Sequence, residues 1–143
     1  MREHMGLYHG KRVDSDAWVE GFYLEFSDPL TGNHERYIQT VKSDGRLDLI
    51  HKVDPDTVGE CTGLPDKNGK LIFEGDIVES EFTKRPYLVC FGKYTYTNEY
   101  GEEECACGWY TKDTNDIVTG FRCLETWATV IGNIHDNPEL QTC

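Results

Sequence analysis

The sequence has no apolar run near the roughly 18–20 residues that span a bilayer. It also has no long window in which apolar residues recur at helical spacing. Basic residues are scarce, with 14 Lys and Arg against 26 Asp and Glu, a net charge of −12. The deficit is uneven: residues 1–71 carry 13 acids and 9 bases (−4), and residues 72–143 carry 13 and 5 (−8). Phosphate backbones are held by clustered Lys and Arg, so direct nucleic-acid binding is disfavoured. Such acidity is ordinarily a matter of solubility; a basic protein partner and mimicry of DNA charge are the functional alternatives. Hydrophobic residues, at 38%, fall below the usual share of about 45–50% counted with Gly. Aromatics nevertheless reach 12% and bury much area each, which argues against wholesale disorder.

Catalytic and metal signatures are also missing. There is no G-x-S-x-G, H-E-x-x-H or Walker loop, and the five histidines (His4, His9, His34, His51, His135) fall in no nucleophile–base pattern. Asp54 and Asp56 flank a proline, and Glu74 and Asp76 flank a glycine. Paired carboxylates can divide acid and base roles, but acids are common on such turns. Six cysteines stand at 61, 90, 105, 107, 123 and 143, without a C-x₂₋₄-C pair of the kind structural zinc uses. Cys105 and Cys107 share a face if strand-borne, yet Glu99, Glu102, Glu103 and Glu104 around them oppose thiolate formation. Residues 1–10 are polar with no apolar core of a signal peptide. The expectation is therefore a cytoplasmic protein with free thiols, no membrane association, no metal or other cofactor, and no catalytic residues.

What is present is strand signal. In residues 18–26, Trp18, Glu20, Phe22, Leu24 and Phe26 alternate with Val19, Gly21, Tyr23 and Glu25. Four of the first five are apolar, so that face is expected to meet a core. Asp28-Pro29-Leu30-Thr31-Gly32-Asn33 reads as a turn, residues 34–41 as a return strand, Ser43-Asp44-Gly45 as a turn, and 47–53 as another strand. Pro55 halts pairing. Beyond it, strands are expected at 58–61, 71–73, 77–82 and 87–91, from 108 onward, and at 127–131, with 123–126 ambiguous. Residues 94–104 read as a loop or an extended hairpin arm. Asn68-Gly69 predicts a type I′ turn with positive φ at both residues. Five or six short strands between about 58 and 134, spaced every ~8–12 residues, predict a small closed or half-open barrel, with Gly132-Asn133 bending the last strand.

The stretches that carry a family likeness are Val53-Asp54-Pro55-Asp56-Thr57-Val58-Gly59-Glu60-Cys61-Thr62-Gly63-Leu64, Asp66-Lys67-Asn68-Gly69-Lys70 and Ile72-Phe73-Glu74-Gly75-Asp76-Ile77-Val78. A fourth is Val130-Ile131-Gly132-Asn133-Ile134-His135-Asp136-Asn137-Pro138-Glu139-Leu140. With Gly10-Lys11-Arg12-Val13 and Trp18-Val19-Glu20-Gly21-Phe22, they resemble the YopX-like family of phage and prophage proteins. The resemblance implies a mostly β protein: an N-terminal β extension (1–57) on a small SH3-like β-barrel with a C-terminal tail (58–143). It also implies a bacterial host cytoplasm and no assigned activity. Each quoted motif has a turn role, so the same residues are expected to shape chain reversals.

Function is therefore sought in recognition. Tyr87, Tyr94, Tyr96, Tyr100, Trp109, Tyr110 and Trp127 crowd the second half. Aromatics on a small barrel fill the core or line a peptide groove, and core packing is the commoner fate. The leading expectation is a non-catalytic phage or prophage accessory protein that binds an unknown host or phage protein, with homo-oligomerisation open. The alternatives are an acidic DNA-mimic inhibitor of a host nucleic-acid enzyme and an uncharacterised enzyme.

Overall fold

The computed structural model describes residues 6–119 and 124–141. The chain is mostly β and divides into two compact units, residues 1–61 and 62–143. Among the described residues no helix is long and apolar enough to cross a membrane.

The first unit is an antiparallel sheet built on β1 (Leu7–Lys11), β2 (Trp18–Ser27), β3 (His34–Val41) and β4 (Leu47–Lys52). Its order runs β4-β3-β2-β1, with the start of β5 (Gly59–Pro65) beside β1 through Gly59 and Glu60. The turns fall where Gly, Asp and Pro place them. Asp28 closes the β2–β3 loop by accepting from Leu30 N–H, and Asp54 caps the short 3-10 turn Pro55–Thr57 through Asp56 N–H.

The buried face of this sheet is not the one the alternation of β2 predicts. Phe22 and Phe26 are 48% and 53% exposed, and Trp18 and Leu24 are half-buried. The fully buried residues are Ile38 and Val53, with Gly10 packed against them and Gly21 buried on β2. Ile38 pairs with Tyr23, so the buried face is that of Val19, Gly21 and Tyr23. The inversion arises because the neighbouring strands supply that core, which the pattern of β2 alone cannot report.

In the second unit, β6 (Leu71–Phe73) follows β5. A five-stranded antiparallel sheet has the order β10-β9-β8-β7-β11: β7 (Asp76–Ser80), β8 (Pro86–Thr97), β9 (Glu103–Lys112), β10 (Val118–Thr119) and β11 (Ala128–Asn133). A single helical turn, α1 (Leu124–Trp127), precedes β11. Ile72, Val78, Val89, Leu124 and Ala128 form the core, with Tyr87, Trp109, Trp127 and Val130 against it. Burial of each large aliphatic side chain stabilises by about 1.5–3 kcal/mol.

Two expectations change here. No pairing among the described residues returns β11 to β10, so a closed barrel is not found. The bulge at Gly132 is present, in the β11–β7 register between Val130 and Gly132. The 66–70 turn is also of another type. Only Gly69 has positive φ (+87°), and its N–H donates to Asp66 O at 3.0 Å while Asp66 N–H donates to Lys70 O at 2.7 Å. This is a type I turn followed by a left-handed glycine, a three-residue loop. The Asp66 carboxylate holds it, accepting from Asn68 N–H and Lys70 N–H at 2.9 Å each, and that makes positive φ at Asn68 unnecessary.

Candidate functional site

The residues of the family-like motifs are occupied with backbone. Asp76, buried, accepts from Phe73 N–H at 2.9 Å. Asp66, 3% exposed, also accepts from Val130 N–H. Thr57 Oγ1 accepts from Lys11 N–H at 2.8 Å and donates to Asp54 O at 2.7 Å. Asn133 Oδ1 accepts from His135 and Asp136 N–H.

Among the described residues, each unit carries a cleft on its surface. The first, about 560 Å³, lies in the first unit between residues 11–16 and Asp54-Pro55. Its charges are spent on one another. The Arg12 guanidinium forks onto Asp14 at 2.9 and 2.7 Å and holds that carboxyl below its usual range, and Lys11 lies 3.8 Å from Asp16.

The second, about 570 Å³, lies on the β8–β9 hairpin of the second unit. The two strands pair continuously from Leu88↔Lys112 to Thr97↔Glu103, so the segment read as loop or arm is a β-arm. Its tip is a glutamate-rich turn in which Asn98 N–H donates to Glu102 O and Gly101 N–H to Asn98 O. Midway, Gly92 and Gly108 sit opposite each other at φ +145° and +149°, a region that only glycine adopts readily. The pair leaves a gap in one face, and a Cβ on either residue would meet nothing within 4 Å. Tyr94 and Tyr110 flank this gap on the diagonal, their tilted rings 4.7 Å apart between centroids. Lys93, Lys112 and Val118 complete the groove, with Asp116 in an ion pair with Lys112 at 3.5 Å. Buried Asp113 fixes the adjoining turn by accepting from Asn115 and Ile117 N–H.

The predicted aromatics separate into two groups. Tyr87 and Trp127 meet edge to face at 5.9 Å, and with Trp109 they serve the core. Tyr94 and Tyr110 line the groove; Tyr96 and Tyr100 are exposed on the arm. Tyr96 donates to Glu104 at 2.7 Å, and that bond with one from Asn98 holds the Glu104 carboxyl below its usual range. Lys93, Lys112 and the glycine pair were not singled out in the sequence. The available signal was symmetry: Gly92 and Gly108 are equidistant from Tyr100.

Among the described residues no three of His, Cys, Asp and Glu gather as a metal site; Cys123 and Cys143 lie outside them. Cys105 and Cys107 are exposed on the arm, Cys61 is buried, and burial pushes the half-buried Cys90 thiol up. Alkylation of the native protein at neutral pH should modify Cys105 and Cys107 faster than Cys90 and Cys61, on the order of tenfold, because thiolate and access set the rate. Peptide mapping by mass spectrometry after timed quenching checks this, and equal rates would contradict the packing of β8.

No curated protein matches the chain. A family model described as YopX protein matches residues 10–141. That match takes in both units and the whole β8–β9 arm, and on it the chain belongs to the YopX family.

Proposed function

We propose that the protein is a non-catalytic interaction module, a phage or prophage accessory protein of the bacterial cytoplasm, that docks a segment of another protein on the Tyr94–Tyr110 groove. The observation that carries this reading is the closely paired Tyr94 and Tyr110 rings beside the open glycine gap. Rigid aromatic rings beside unfilled space are what binding hot spots are built from. The antiparallel strands and the bulge at Gly132 also favour an SH3-like, half-open barrel for the second unit. Glu103 and Glu104 are successive residues on β9 and face opposite sides of the arm, which favours docking over mimicry of a continuous phosphate surface.

The test is affinity capture from bacterial lysate with wild-type protein, the Tyr94→Ala plus Tyr110→Ala variant, and Tyr100→Ala. A partner retained by wild type and by Tyr100→Ala should be lost with the double variant, since an aromatic hot spot contributes about 2 kcal/mol or more. Retention of nothing at any salt, or retention indifferent to the double variant, defeats the proposal.

A further inference from the structure

The hydrogen-bond phase of the arm can be counted from its tip. Asn98 and Glu102 form the bonded pair that closes the hairpin, at 2.8 Å. Bonded and non-bonded pairs alternate in antiparallel ladders. Tyr96/Glu104, Tyr94/Ala106 and Gly92/Gly108 are therefore bonded pairs, and the backbone groups of Glu103, Cys105 and Cys107 point away from β8. The base of the arm agrees. Val89 O accepts from Gly75 N–H at 2.9 Å on the outer side of β8, and Asp113 N–H donates to Ile117 O at 3.1 Å on the outer side of β9. Among the described residues no strand pairs with this edge over residues 103–108; the described part of β10 pairs with Thr111 and Lys112. An exposed edge of this kind is a template for a further strand.

The side chains along it define what fits. On the groove face the edge presents Glu104, then Ala106 and Gly108, which are small, with the Tyr94–Tyr110 pair as a wall. On the other face it presents Glu103, Cys105 and Cys107. An added strand would meet two carboxylates at one end. Four residues along, it would meet the open glycine gap. A second copy of this chain fits poorly, since each copy carries −12 and its own 103–108 stretch would bring two glutamates and no cations.

We propose that the outer edge of β9 from Glu103 to Gly108 takes an extended segment of a basic partner protein as an added strand. Its basic side chains lie against Glu103 and Glu104, and a large apolar side chain is seated over the Gly92–Gly108 gap. The proposal deepens the interaction reading and rests on it.

The probe is the blocked peptide TFTVTKRT, whose antiparallel register sets Phe opposite Gly108 and Lys-Arg opposite Glu104 and Glu103. Its fluorescence anisotropy is compared with that of TATVTKRT and TFTVTEET. Binding of TFTVTKRT should be weakened about tenfold or more by either peptide change, and by Cys105→Pro in the protein. The proline removes an outward N–H without touching the β8 ladder, and Cys105→Ser should bind as wild type. Amide exchange at Glu103, Cys105 and Cys107 should slow when TFTVTKRT is added. If Cys105→Pro disturbs the arm, seen as faster exchange at Glu104 and Ala106, the pair Glu103→Lys and Glu104→Lys decides instead by preferring TFTVTEET.

No binding at millimolar peptide overturns the proposal. So does binding indifferent to both Cys105→Pro and charge reversal, or edge protection that appears without peptide and tracks dimer mass in light scattering. Captured partner that depends on Tyr94 and Tyr110 but not on Cys105→Pro or the charge reversal would sink strand addition alone. Failure of capture altogether would sink the interaction reading beneath it.

Discussion

Asp66→Ala should lower the stability of the second unit by about 3 kcal/mol, with Asp66→Asn costing about half as much. The carboxylate is 3% exposed and accepts three backbone N–H bonds at 2.9 Å: from Asn68 and Lys70 within its own loop, and from Val130 on β11. Removing an acceptor from a buried donor costs about 1–3 kcal/mol, and bonds to a charged acceptor lie at the strong end. Asn68 and Lys70 are on an exposed loop and can rehydrate, which keeps the sum near the lower end. Asparagine can keep one oxygen for the loop donors, but its amide then faces Val130 N–H, donor against donor. Chemical denaturation gives the magnitude. Hydrogen exchange gives the cause: Val130 should lose protection in both variants, whereas the loop amides should lose it fully only in the alanine variant. A cost below about 1 kcal/mol for alanine would mean that the bond from Lys67 N–H to Ala128 O, at 2.9 Å, holds the loop to β11 unaided.

Asp66 also shows where the sequence stops being legible. Its turn is visible, because Asp, Asn and Gly in that order name a chain reversal. The bond to Val130 is not, because 64 residues separate the partners and no local pattern announces it. The same boundary recurs elsewhere. Strands β2, β3 and β4 follow from alternation and from the prolines and glycines between them, within a residue or two of their ends. Which face of β2 is buried does not follow, since Ile38 and Val53 settle it from other strands. On the arm, the tyrosines are evident in composition, and residues 94–104 read as either loop or hairpin. The groove depends on register: only pairing Gly92 with Gly108 brings Tyr94 and Tyr110 together across the gap. A polar, acidic stretch of strand carries little of the hydrophobic alternation that marks a half-buried one. The arm pairs along its whole length and is exposed towards its tip, so its strand character is weakly written in its residues.

Gly21→Ala should be the most damaging single methyl in the first unit, costing about 3 kcal/mol or more. A Cβ at residue 21 would overlap the carbonyl oxygen of Gln39 and lie 2.8 Å from its carbonyl carbon. Those atoms are β3 backbone and cannot rotate aside as a side chain would. The strands must part, and parting opens a ladder that runs from Phe22↔Gln39 to Ser27↔His34. Gly32→Ala is the control. Gly32 has φ +74° and nothing within 4 Å of its would-be Cβ, so its substitution meets backbone strain alone, about 1 kcal/mol. Hydrogen exchange resolved by peptide should show β2 and β3 opening in Gly21→Ala while β7, β8 and β9 keep their protection. An effect no larger than that of Gly32→Ala would mean that β2 and β3 do not approach so closely. The variant has a second use, because it damages the first unit by a contact internal to it. If Gly21→Ala still binds partner as wild type does, recognition belongs to the β8–β9 arm, and the N-terminal sheet with its half-exposed Phe22 and Phe26 serves some other end.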